Sequence, residues 1–236
     1  MNSIAINVIL NDSYWECRYC IENLLLKTSL SPKIYLTTNG CTDKRVSEFC
    51  MEISSLNQGS VFQLPEPKNI SYATNLFLQN CKEDYLCLFP IHALVNEGWL
   101  ENLLAAHKAH KDSGVVGIRH GNEKATLTSI IQEDDSFSEV WATEHNEVEG
   151  IMFASKEVFD KVGLFEENEN ITGFEQVDYC FRASSIGLKN YYALNNTCSK
   201  INIEDKFLFP KKTQESWQVY KNKVEEIVKQ QRELTE

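Results

Sequence analysis

The 236-residue chain has no apolar stretch long enough to cross a bilayer as a helix, which takes roughly 20 residues. Its first residues lack a basic region leading into an apolar core and a small-residue cleavage site. No signal peptide is expected, and a cytoplasmic location is the default. The N-x-S/T matches at Asn11, Asn69, Asn170 and Asn195 then carry no glycosylation. Cations are in deficit: 23 Lys and Arg against 34 Asp and Glu give a net charge of −11. That argues against a general nucleic-acid binder and against an anionic membrane surface. No G-x-G-x-x-G follows the first strand pattern, where Leu10-Asn11-Asp12-Ser13 stands, so a nucleotide-binding oxidoreductase is a poor reading. Cys17 and Cys20 form the only C-x-x-C, and no second pair stands at zinc-finger spacing. The eight cysteines read as small buried apolar residues rather than as a metal or redox site. There is no internal repeat and no low-complexity linker.

What is present is an alternation of strand and helix patterns. Residues 4–10 are a first strand, closed by turn chemistry at Asn11-Asp12-Ser13. Residues 14–27 have helical spacing through Cys17, Ile21, Leu24 and Leu25, and Ser31-Pro32 ends them. A β-branched and aromatic strand spans 33–38. Asn39-Gly40 turns the chain, and Thr42 or Asp43 can cap a helix over 44–56. A short strand at 61–64, a helix over 72–81 and the apolar run Tyr85-Leu86-Cys87-Leu88-Phe89 follow. Pro90 stops that run because proline has no N–H for the ladder. Further strands are expected at 115–118, 150–154 and 190–194, with helices at 156–162 and 172–185. Strands alternating with helices imply a mostly parallel sheet covered on both faces, whose ligands sit beyond the carboxyl ends of the strands.

Residues 120–146 turn polar and suggest a lid or irregular excursion. After Pro210 the chain is polar and helix-favouring, with an apolar stripe of Trp217, Tyr220, Val224, Ile227 and Val228. This extension, 206–236, reads as a helix that packs on the domain, on a second copy or on a partner protein. Its mixed charges make a peripheral membrane role the weaker alternative. His107 and His110 stand three apart beside lysines and read as a solvated helix face. Glu133-Asp134-Asp135 reads as a solvated loop.

Four blocks resemble the family-2 glycosyltransferases, in that family's order. They are Cys20 through Leu25 with Thr38-Asn39-Gly40-Cys41-Thr42-Asp43; Asn69 through Asn75; residues 85–100; and residues 150–187. The resemblance implies a GT-A fold over residues 1–205, Rossmann-like, with helices on both faces of the sheet. It implies transfer of a sugar from a nucleoside-diphosphate donor to an acceptor hydroxyl, with inversion, and leaves open whether the acceptor is a glycan, a lipid-linked sugar or a protein. By position it implies donor contacts at Thr38, Asn39, Asp43, Asn69, Asn75 and His92. Three places depart from the family pattern. Thr38 stands for an aspartate. Pro90-Ile91-His92 replaces the D-x-D that holds Mg²⁺ or Mn²⁺, leaving His92 to bind an imidazole-tolerant ion or to face a phosphate itself. Glu175-Gln176-Val177-Asp178 replaces E-D-x-D. An amide is no base near neutral pH, so Glu175 is the candidate base, with Asp178 in the catalytic group and Arg182 four residues on as its helix partner. Two readings remain: a transferase with atypical or absent metal use, or an inactive GT-A-like module for binding or assembly.

Overall fold

The computed structural model describes residues 2–57, 59–120, 129–131, 140–145 and 148–200, with Asn222 beyond them. The first part alternates β1 (Ile4–Leu10), α1 (Tyr14–Lys27), β2 (Lys33–Asn39), α2 (Lys44–Asn57), β3 (Val61–Leu64), α3 (Ile70–Asn80) and β4 (Tyr85–Phe89). Then come β5 (Ala93–Val95), α4 (Trp99–Ala109), β6 (Ser113–His120), β7 (Ser129–Ile131), β8 (Val140–His145), β9 (Ile151–Ser155), α5 (Lys156–Val162), α6 (Glu175–Ser185) and β10 (Lys189–Lys200). The C-terminal extension and most of the polar excursion fall outside the described residues. Among the described residues no helix is long and apolar enough to cross a membrane.

The strands join in one sheet in the order β3-β2-β1-β4-β9-β6-β10-β8-β7, with β5 paired to β10. Strands β1 to β4, β6, β7 and β10 share one direction, and β5, β8 and β9 oppose it. The sheet is therefore mostly parallel, as the alternation implied, and has the architecture of a GT-A fold. One strand changes what lies at its centre. β9 runs antiparallel between β4 and β6, with Leu88 opposite Met152 and Ile118 opposite Ile151. Hydrophobic pattern alone carries no strand direction, so this insertion is invisible in the sequence.

Period-two alternation divides the core between the two faces of the sheet. Ile6, Val8, Cys87 and Phe89 join the apolar residues of α1, α2 and α4 on one face. Ala5, Leu86, Leu88 and Met152 join those of α3, α5 and α6 on the other. Trp99, fully buried at the start of α4, donates its indole N–H to Thr28 Oγ1 at 2.9 Å and so ties α4 to the end of α1. Gly98 takes φ +75° immediately before it, a left-handed conformation that glycine adopts without penalty. All eight cysteines are free, and seven are buried. Burial pushes the Cys17 thiol up to about 12, so it is a packed apolar group and no thiolate.

His107 differs from expectation. It is 8% exposed, because α4 turns this face onto the sheet. Its Nδ1 lies 2.9 Å from Ser113 Oγ, and its Nε2 accepts the Ser155 N–H at 3.2 Å. Burial lowers its pKa from 6.5 to about 4. The unfolded chain therefore binds a proton here that the folded chain refuses. The stabilisation is complete above about pH 6.5 and is lost as pH falls toward 4, by on the order of 3 kcal/mol. Urea unfolding of His107→Gln should show lower stability at pH 7 and a flatter stability profile between those limits. An unchanged slope would exclude this histidine as the source.

Candidate functional site

The parallel strands end at one edge of the sheet, and the loops there are tied together by their own polar side chains. Asn11 follows β1 and accepts the Ser13 N–H at 2.8 Å, a turn that opens α1. The Asp12 carboxylate accepts the N–H and the hydroxyl of Thr42 and, at 2.9 Å, the N–H of Asp43. These bonds, that from Asp43 foremost, hold its carboxyl below the usual range. Asp43 is itself paired with Arg45 at 2.6 Å, which lowers its carboxyl too. Asn39 both donates to the Lys68 carbonyl and accepts the Lys68 N–H, each at 2.8 Å. Gly40 sits inside that closure with φ +68°, and a Cβ there would meet the Pro67 ring at 2.5 Å. Thr38, 4% exposed, lies opposite Leu10 in the register of β1 and β2.

A second set of ties joins α3 to the loop after α5. Asn69 caps α3 by accepting the Tyr72 N–H at 2.7 Å, and it donates to the Glu167 carbonyl at 2.8 Å. Asn75 is 3% exposed. Its amide accepts the Phe165 N–H and donates to the Phe165 carbonyl and to Glu167 Oε1, all within 2.9 Å. Asp178 is fully buried, and its Oδ2 meets Arg182 Nε at 2.9 Å. Arg182 also donates to the Val162 carbonyl at 3.0 Å and lies 4.9 Å from the Tyr179 ring centroid. This pair fastens α6 to the end of α5.

Between these two sets lies the end of β4. The Ala93 N–H closes a turn onto the Pro90 carbonyl at 3.0 Å. Within that turn Ile91 is 4% and His92 7% exposed. The paired register of β4 and β9 ends at Leu88 and Met152, and Gly150 stands two residues before that pair. The Gln176 side chain grips that point. Its Oε1 accepts the Gly150 N–H at 2.8 Å and its Nε2 donates to the Gly150 carbonyl at 3.0 Å. The N-terminus of α6 is thereby pinned to the start of β9. Glu175, the first residue of α6, is half-buried and accepts the Gly173 N–H at 2.9 Å. Glu149 is half-buried as well, with its N–H on the Tyr192 hydroxyl at 2.9 Å.

The structure places His92 in the turn after β4 and Glu175 and Gln176 in the first turn of α6, which Gln176 ties to Gly150 at the start of β9. Sequence reasoning gave Gln176 no structural task, because its two bonds to Gly150 exist only once α6 lies against the start of β9. Asn39, Asn69 and Asn75 are engaged by the chain around that place. Among the described residues no group of three or more His, Cys, Asp or Glu side chains is placed to hold a metal ion. The turn after β4 offers a proline, a buried isoleucine and one imidazole. That donor set does not fit Mg²⁺, which requires oxygen ligands.

The profile of the family described as Glycosyl transferase family 2 matches residues 16–163, more than half of the chain. No curated protein sequence gives a significant match. Among solved structures, the chain is similar to GalNAc-T7 with UDP, GalNAc and Mn²⁺, with a TM-score of 0.71 and 12% identity, over 87% of this chain and 45% of that one. It is similar to the mannosyltransferase PcManGT of Pyrobaculum calidifontis in complex with GDP-Man and Mn²⁺ (TM-score 0.65, 13% identity, 87% of this chain and 59% of that one). It is also similar to S. aureus TarS 1–349 in complex with UDP-GlcNAc (TM-score 0.61, 14% identity, 86% and 60%). The chain thus spans less than two thirds of each of these proteins. At such identities the likeness establishes the fold.

Replacing Gln176 by Glu would set a carboxylate against the Gly150 carbonyl and remove the donor to that carbonyl. The variant should lose about 1–3 kcal/mol in urea unfolding at pH 7. A loss below about 0.5 kcal/mol would mean that the clamp does not hold α6 in place.

Proposed function

The chain belongs to glycosyl transferase family 2, and from that premise we propose that it moves a sugar from a nucleoside-diphosphate donor to an acceptor hydroxyl, with inversion, at the end of β4. The observation that carries the proposal is that β1, β2 and β4 are parallel neighbours ending at one edge of the sheet, in a chain whose residues 16–163 match the family. The neighbours crystallised with UDP, GDP-Man and UDP-GlcNAc support a nucleotide-sugar donor. Glu175 is the general base. Its carboxylate takes the acceptor O–H proton as that oxygen bonds to the anomeric carbon. The bond from that carbon to the diphosphate oxygen breaks, and its electron pair leaves with the diphosphate. His92, at the strand end, faces the charge that develops on the departing group, in place of carboxylates holding a cation. Thr38 and the Asn39 to Asp43 loop border the nucleoside. Asp178 acts through Arg182, as a positioning residue for α6.

A second reading has a specific basis. Gln176, where the family pattern has an aspartate, is engaged on both of its polar atoms by Gly150. A chain in which that place is structural can bind a donor without turning it over. The two readings separate in assays with a panel of UDP- and GDP-sugars. The transferase reading expects hydrolysis or transfer with at least one donor, cut at least about a hundredfold in kcat by Glu175→Gln with little change in KM. Glu149→Gln serves as the comparison. A smaller loss in Glu175→Gln than in Glu149→Gln would move the base to Glu149. Binding without turnover would favour the module, and the absence of both would remove the transferase. His92→Ala should weaken donor binding measurably, and an unchanged affinity would take His92 out of the donor site.

A further inference from the structure

The opposite pole of the sheet carries a second feature. Tyr85 opens β4, Ser113 opens β6 and Ser155 closes the antiparallel β9, so all three lie at the edge away from the end of β4. A cavity of about 320 Å³ opens there. Its charged lining consists of Lys108, Lys111, Lys161 and Glu157. Three cations against one anion invert the balance of a chain with 34 acidic and 23 basic residues. Ion pairs among the described residues involve Lys27, Lys33, Lys68, Lys156 and Lys189, and none involves these three lysines. Lys108 Nζ is held 5.7 Å from the Tyr85 ring centroid. Lys108 and Lys161 each lie in the last turn of a helix, α4 and α5, where a cation complements the helix dipole. That effect explains each lysine alone but not their convergence with Lys111 on one concavity.

The histidines of this cavity differ. His107 has both ring nitrogens engaged and forms a neutral wall. His110 stacks on Tyr191 with ring centroids 4.0 Å apart. Its Nε2 is shielded from solvent and has no hydrogen-bond partner among the described residues. The charged groups around its ring are Asp112, Glu144 and Lys189, and Lys189 pairs with Glu144 at 3.2 Å and Asp112 at 3.8 Å. The anion-binding character of the concavity therefore rests on Lys108, Lys111 and Lys161, and the shielded His110 nitrogen adds one ring atom at its edge.

We propose that this cavity binds a phosphate monoester of about the size of a sugar phosphate, at a site separate from the sugar-transfer place. The concavity is half open to solvent, so it would hold the phosphate end of such a ligand and leave part of it exposed. The binding does not require the chain to be a transferase, so its failure and the failure of the transferase reading are distinct results.

Calorimetry with inorganic phosphate and with glucose 6-phosphate, at constant ionic strength, tests the proposal. One saturable site per chain is expected, with a shift of the His110 ring resonances. The Lys111→Glu/Lys161→Glu variant, altered at exposed positions only, should lose at least about tenfold in affinity while any nucleotide-sugar binding persists. Vesicles containing phosphatidic acid separate the two sources of the same chemistry. Binding to vesicles but not to glucose 6-phosphate would assign the cavity to a lipid headgroup, and the reverse to a free metabolite. The proposal fails if no probe saturates below about 10 mM. It fails equally if the double variant binds as well as the parent, or if a nucleotide sugar displaces the probe.

Discussion

Two hydrogen bonds between the Gln176 amide and the Gly150 backbone fix the relation between α6 and the sheet. They act at the one place where β9 begins and β4 ends. An amide is suited to this task because it offers a donor and an acceptor in one plane, matching the N–H and C=O of a peptide. A carboxylate could satisfy only the N–H. Glu175 precedes Gln176, so the same clamp positions the start of the helix that bears it. The place that would carry the chemistry thus depends on a residue that performs none.

The surrounding polar side chains show the same tendency. Asp12 holds the Thr42–Asp43 turn, Asn39 holds Lys68, and Asn75 holds Phe165 and Glu167. Each pairs with backbone groups that would otherwise be unsatisfied at strand and helix ends. Such loops are stiff before any ligand arrives, which lowers the ordering cost of binding. The arrangement also leaves little mobile negative charge at the end of β4, where diphosphate charge would collect. In a chain of net charge −11, keeping carboxylates bonded or paired there limits repulsion of an anionic donor.

The sequence revealed the alternation of β1 to β4 with α1 to α3 because each apolar run has a clear period and a turn signal at its end. Pro90 marked the end of β4, and the resemblance located His92, Glu175 and Gln176. Two things could not be seen. The antiparallel direction of β9 depends on long-range pairing, so the bonds between Gln176 and Gly150 had no signal. The burial of His107 depends on which face α4 turns to the sheet. The neighbouring Lys108 and His110 make that face look polar, although Ala106, Leu103 and Trp99 share its buried side. Polar side chains that cap and clamp look the same in sequence as polar side chains that bind a ligand, and Asn69 and Asn75 illustrate this.

The central claim is that a sugar nucleotide is held where β1, β2 and β4 end, without a carboxylate grip on a cation. A crystal structure of the chain soaked with a nucleoside diphosphate and Mn²⁺ tests it most directly. The account predicts the nucleoside against Thr38 and the 39–43 loop, the diphosphate beside His92, and no Mn²⁺ ligated by carboxylates at the turn after β4. A nucleotide bound elsewhere, or an Mn²⁺ held between Glu149 and Glu175, would contradict it.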